Sequence, residues 1–144
     1  MRRTVAPTLL ALACAASLLA CARPGGGAES RQDPEAVVAA LKAFTDELAA
    51  RVESAPDTKA GVAEAQRLLD SRGGEMAARI DALRKGEAMR DPAARGKWLE
   101  AEVDNTQRVR DLKLKYFDAS LGDPELKAAF ERLAADYDSM FKER

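Results

Sequence analysis

The stretch Asp33-Pro34-Glu35-Ala36-Val37-Val38-Ala39-Ala40-Leu41-Lys42-Ala43-Phe44 decides the fold class. Aspartate followed by proline is a helix start. The carboxylate accepts a free N–H of the first turn, while proline lacks that donor and already has a helical φ. Beyond it the apolar residues step by three and four, through Val37, Leu41, Phe44, Leu48 and Val52, which places them on one face of a helix over 34–54. The same punctuation recurs at Asp91-Pro92 and Asp123-Pro124, and Asp57-Thr58 after Ala55-Pro56 follows the same logic. Four helices are therefore expected, over 34–54, 58–85, 92–121 and 124–142, with Gly86 and Gly122 suited to C-terminal ends.

The other three carry stripes of their own. Val62, Leu69, Met76, Ile80 and Leu83 mark the second helix, and Leu126, Phe130, Leu133, Tyr137 and Phe141 the fourth. Leu99, Val103, Val109, Leu112, Tyr116 and Phe117 are expected to mark the third. Glu47/Arg51, Asp81/Lys85, Asp104/Arg108 and Asp111/Lys115 have the i,i+4 spacing of exposed ion pairs. Short connections make sequence neighbours antiparallel, so the expected fold is all-α, a small antiparallel bundle of about four helices. Two places break the pattern. Gly73-Gly74 is expected to kink or interrupt the second helix, as a hinge or a close helix crossing, and Asp104-Asn105-Thr106-Gln107 makes the third polar in its middle.

Composition bounds the rest. The chain has 144 residues, 23 basic and 24 acidic side chains, a net charge of −1 and no histidine. That length suits one domain, and a balanced charge gives no field for nucleic acid. The apolar fraction is 47%, but alanine supplies much of it, so the core is thin and self-association is a way to complete it.

The N-terminus reads as an address. Met1-Arg2-Arg3-Thr4 is basic, and Val5 to Ala20 runs without a charge, the layout of an export signal. That run is shorter than a membrane span needs and carries Pro7. It ends in Leu18-Leu19-Ala20-Cys21, which resembles the lipobox of bacterial lipoproteins. The resemblance implies a diacylglyceryl group on the Cys21 thiol, cleavage before it, and a membrane anchor of two or three acyl chains. It also implies a cell-envelope location facing the periplasm. Ala22, in place of the aspartate that resembles an inner-membrane retention signal in enterobacterial lipoproteins, favours the outer membrane. Cleavage would remove Cys14 and leave no free thiol and no disulfide. Residues 1–20 are thus read as signal peptide, 21–32 as lipidated cysteine and a Gly-rich flexible tether, and 33–144 as the helical domain.

The sequence offers little for catalysis. Without histidine there is no imidazole base and no histidine metal ligand, and no calcium-loop spacing organises the carboxylates. The Cys-x-x-Cys-His of covalent haem, the Gly-x-Ser-x-Gly elbow and a phosphate-binding loop are all missing. No enzyme activity, metal or cofactor is expected. Binding is the remaining reading. Trp98 either caps the core or is a partner-contact aromatic, and the region near Gly73-Gly74 is a second candidate face. The basic run Arg108, Arg110, Lys113 and Lys115 is either a solvated face laced with salt bridges to Asp104 and Asp111 or a surface that meets anionic headgroups or an acidic partner. The expected role is a membrane-anchored interaction or structural module that meets another envelope protein. The alternative is a periplasmic chaperone-like or stress-related binder, although the Leu-Thr-x-x-Gln motif of one such family is missing.

Overall fold

The computed structural model describes residues 33–142. The expected signal peptide (1–20), the expected lipidation site Cys21 and the expected tether lie outside the described residues. Those described form an all-α bundle: α1 Pro34–Ser54, α2 Thr58–Lys85, a 3-10 turn Glu87–Arg90, α3 Pro92–Lys115, a short α4 Phe117–Leu121, and α5 Pro124–Ser139. All four start signals work as the sequence requires. Asp33 accepts from Glu35 N, Asp57 from Ala60 N, Asp91 from Ala93 N and Ala94 N, and Asp123 from Glu125 N and Leu126 N.

The chain direction alternates, but sequence neighbours are not all spatial neighbours. α2 and α3 each pack on both α1 and α5, so they occupy opposite corners and the 3-10 turn carries the chain across one end. The ion pairs fix the directions. Glu35 meets Lys97 and Glu53 meets Arg108 and Lys115, so α1 and α3 run parallel. Lys59 meets Glu125 and Asp70 meets Arg132, so α2 and α5 also run parallel. Two antiparallel hairpins therefore lie side by side. Asp33, the 3-10 turn and the end of α5 share one end of the bundle, and the two hairpin turns share the other.

The core runs along the axis from Val37 and Leu41 through Leu48, Leu69, Ile80, Leu112, Leu133 and Tyr137. Thr45 is buried in it, donates to Leu41 O at 2.9 Å, and lies 2.5 Å from the Tyr137 hydroxyl.

Four sequence expectations change. α2 is one helix of 28 residues through Gly73 and Gly74. Two glycines cost about 2 kcal/mol of propensity, which the burial of Leu69, Met76 and Ile80 on either side outweighs. Gly73 is itself buried, and a Cβ there would lie 3.0 Å from Leu69 Cδ1 of its own helix and at ordinary contact distance, 3.5 Å, from Met140 Sδ.

The third helix divides at Tyr116, whose φ of −104° and ψ of 17° leave the helical region while its ring stacks on Phe130 at 5.8 Å. The fourth ends at Ser139, and Met140 and Phe141 continue it with i→i−3 bonds to Tyr137 O and Asp138 O.

The buried face of α3 is not the expected one. Trp98, Ala101, Asn105, Val109 and Leu112 face inward, while Leu99, Val103 and Phe117 face solvent. The indole carries the largest apolar area on the helix, so the register follows Trp98. That register brings Asn105 inside, where its Nδ2 donates to Ala101 O at 2.7 Å. Gly86 and Gly122 do end helices, but with φ of −76° and −90°, so neither uses the left-handed conformation.

Candidate interaction surface

Trp98 is 1% exposed and cannot touch a partner. It closes the end of the bundle shared by Asp33 and the C-terminal end of α5. The Phe141 ring lies 6.4 Å away and the Arg84 guanidinium sits over the indole at 5.8 Å. Arg84 also donates to Phe141 O and, at 2.8 Å, to Glu102, tying α2, α3 and the chain after α5 into one seal. Binding is therefore withdrawn from Trp98, for the same physical reason that turned α3: the indole is worth most inside.

The basic run is spent on the fold. Arg108 and Lys115 both reach Glu53 of α1, at 3.3 and 2.9 Å. Arg110 reaches Asp138 at 3.3 Å and Lys113 reaches Glu131 at 3.5 Å, both on α5. The Lys115 hydrogen bond holds the Glu53 carboxyl below its ordinary value and raises Lys115 in turn. Glu47 is likewise lowered, by Arg72 of α2 first and Arg51 second. The expected pairs Glu47/Arg51 and Asp81/Lys85 form, at 3.2 and 2.7 Å. Asp104/Arg108 and Asp111/Lys115 do not, because both cations turn to α1 instead.

The hydroxyls are spent too. Ser54, Ser71, Ser120 and Ser139 each donate to a carbonyl of their own helix, at 2.6 to 2.9 Å. Buried Thr45 and Tyr137 hold each other. Burial drives the phenol of Tyr137 well above the usual tyrosine range. Among the described residues no group of three or more Cys, Asp or Glu converges as a metal site would require, and no helix is long and apolar enough to cross a membrane.

A shallow groove of about 450 Å³ lies between α2 and α5, lined by Val62, Ala63, Ala128 and Ala129 and rimmed by Arg67 and Arg132. Asp70 and Asp136 both accept from Gln66 Nε2 at 2.8 Å there. The groove exposes small side chains and offers little area to a ligand.

A larger feature is the outer face of α3 and α4. Leu99, Val103, Leu114, Phe117 and Leu121 are between 48% and 68% exposed. At 100° per residue Leu99, Val103 and Leu114 fall on one side of α3, about two fifths of a turn from the buried face, and Phe117 and Leu121 follow on α4 beyond Tyr116. Arg110 lies on the same line and leans to Asp138. Sequence reasoning assigned Leu99, Val103 and Phe117 to the core and missed that they form a second stripe. The available signal was angular: at 100° per residue, Leu99 and Val103 do not share a face with Val109 and Leu112. Comparison with protein-family models, curated proteins and solved structures found no match.

Proposed function

We propose that the chain is a lipid-anchored protein of the bacterial envelope whose helical bundle works by binding another protein, without catalysis. The observation that carries the binding half is the exposed apolar stripe on α3 and α4. Single exposed apolar residues are ordinary on a protein surface, but here five large ones lie along one side, Leu99 and Val103 towards one end and Leu114, Phe117 and Leu121 towards the other, with Arg110 between them. Each Leu, Val or Phe that a partner fully covers would contribute about 1.5–3 kcal/mol. The anchoring half rests on Leu18-Leu19-Ala20-Cys21, with Ala22 favouring the outer membrane where the host has two.

The test is a photo-crosslinking side chain placed at Val103 or Leu114 in cells, with Arg67 on the opposite side as control. A defined adduct from the stripe positions, absent from the control and lost when Cys21→Ser removes the anchor, is the expected result. Equal labelling from all three positions would overturn the reading. Many unrelated adducts that increase under envelope stress would favour the chaperone-like alternative instead.

A further inference from the structure

We infer that the stripe on α3 and α4 receives a basic amphipathic helix of a partner protein. This rests on the binding reading above and adds the partner's chemistry. Beside the stripe stand Glu100, Asp104 and Asp118, one residue beyond Leu99, Val103 and Phe117, and Asp111, one residue beyond Arg110. Their spacing of 4, 7 and 7 keeps them on one edge.

The charges elsewhere on α3 are largely consumed, Lys97 by Glu35, Arg108 and Lys115 by Glu53, Glu102 by Arg84, Arg110 by Asp138 and Lys113 by Glu131; Arg95, one turn before Leu99, has no ion pair among the described residues. The acidic edge is not. Glu100, Asp104 and Asp118 have no ion pair among the described residues, and Asp111 accepts only from Gln107 Nε2, at 2.7 Å. The lysine and arginine placed four residues beyond Asp104 and Asp111 would neutralise them, yet both are drawn away to α1. Glu100 and Asp104 are like charges one turn apart, an arrangement that weakens a helix until a cation covers it.

An apolar line bordered by one uncompensated acidic row fits one kind of surface: apolar residues at helical spacing bordered by lysine or arginine. From Leu99 to Leu121 the stripe runs about 33 Å at helical rise, room for a partner helix of about 22 residues. Competing occupants fit worse. An anionic bilayer is repelled by the acidic row. A second copy docked antiparallel about a two-fold axis brings like edges together, acid against acid.

The experiment titrates the full chain carrying Cys21→Ser with two labelled helical peptides of about 22 residues, sharing one leucine stripe and flanked by lysine or by glutamate. The lysine peptide should bind at least about ten-fold more tightly, and rising salt should erase the difference. Glu100→Lys with Asp104→Lys should invert the preference, and Leu99→Ser with Val103→Ser should weaken both peptides. All four positions are exposed, so unchanged circular dichroism identifies folded variants. Equal binding of the two peptides, binding of neither, a preference for anionic vesicles, or a dimer that the serine variant dissolves would each overturn the inference. A defined adduct from Val103 in cells, obtained alongside indifferent peptides, would sink the charge assignment alone and leave the binding reading standing.

Discussion

The Tyr137 hydroxyl donates to Thr45 Oγ1 across the diagonal of the bundle, at 2.5 Å, with both side chains fully buried. The direction follows from the third partner. Leu41 O can only accept, so the single Thr45 proton goes to it and Thr45 must accept from tyrosine. This joins α1 to α5, which occupy opposite corners.

Removing either partner should cost unequal amounts. Tyr137→Phe takes away one hydrogen bond, about 0.5–1.5 kcal/mol, whereas Thr45→Val strands a buried hydroxyl at about 1–3 kcal/mol. The double variant should lose less than the two losses added together. Urea unfolding of the four proteins measures the difference.

The same phenol gives an alkaline dependence. Burial raises the folded pKa of Tyr137 above its ordinary value. The unfolded chain therefore ionises first, at about pH 10, and gains relative to the fold. The Tyr137 contribution is intact below that pH and is lost as pH rises beyond it. Tyr137→Phe should lose less stability than the parent between about pH 8 and pH 11. An equal loss would show that other groups carry the alkaline limb.

Acid should act through different residues. Arg72 and Lys115 hold the carboxyls of Glu47 and Glu53 below their ordinary values. Their stabilisation is present above the unfolded value of about 4.5 and is lost as pH falls through the folded one. Glu47→Gln with Glu53→Gln should flatten stability on the acid side, as read by thermal melts in low salt. Both carboxylates are partly exposed, so high salt should shrink the effect.

Two glycines of α2 should respond in opposite directions to alanine. At Gly74 a Cβ meets nothing within 4 Å, so Gly74→Ala should stabilise by about 0.5–1 kcal/mol through helix propensity. At Gly61 it would lie 2.8 Å from Ala55 Cβ and 2.9 Å from Arg51 O. The carbonyl belongs to α1 and cannot turn aside, so Gly61→Ala should destabilise by about 1–3 kcal/mol. Denaturant midpoints check both signs.

Trp98→Ala should cost about 3–5 kcal/mol, a large share of a small domain's stability. It removes the ring beneath Arg84 and beside Phe141. A variant that keeps its melting temperature would place the indole outside the core after all.

What the sequence made legible was whatever is decided locally. A cap needs only an aspartate and the next three residues, and all four were read correctly down to the accepting side chain. The stripes of α1, α2 and α5 were equally plain, since each helix has one apolar face. α3 has two. Choosing between them depends on what Trp98 gains by burial against its neighbours, a tertiary quantity that periodicity does not contain. Asp104 and Asp111 failed for a related reason: Arg108 and Lys115 had a local acid and a distant one, and Glu53 received both. The exposed stripe and its unpaired acidic edge follow from those two choices. Cys21 lies outside the described residues, and its reading remains one of sequence alone.

The side-by-side hairpins give the molecule a foot and a crown. Asp33 and Lys142 both leave at the foot, beside Arg84 and Trp98, while the turns at 55–57 and 122–123 form the crown, about 30 Å up the length of α1. Under the proposed anchoring, the foot is the end that the lipid would hold nearer the membrane. A reporter joined after Lys142 would then sit on the anchored side, whereas one inserted at 55–57 would sit at the far end. The stripe runs lengthwise, with Leu99 low and Leu121 high, so a helix laid along it would run from foot to crown, parallel to the bundle axis.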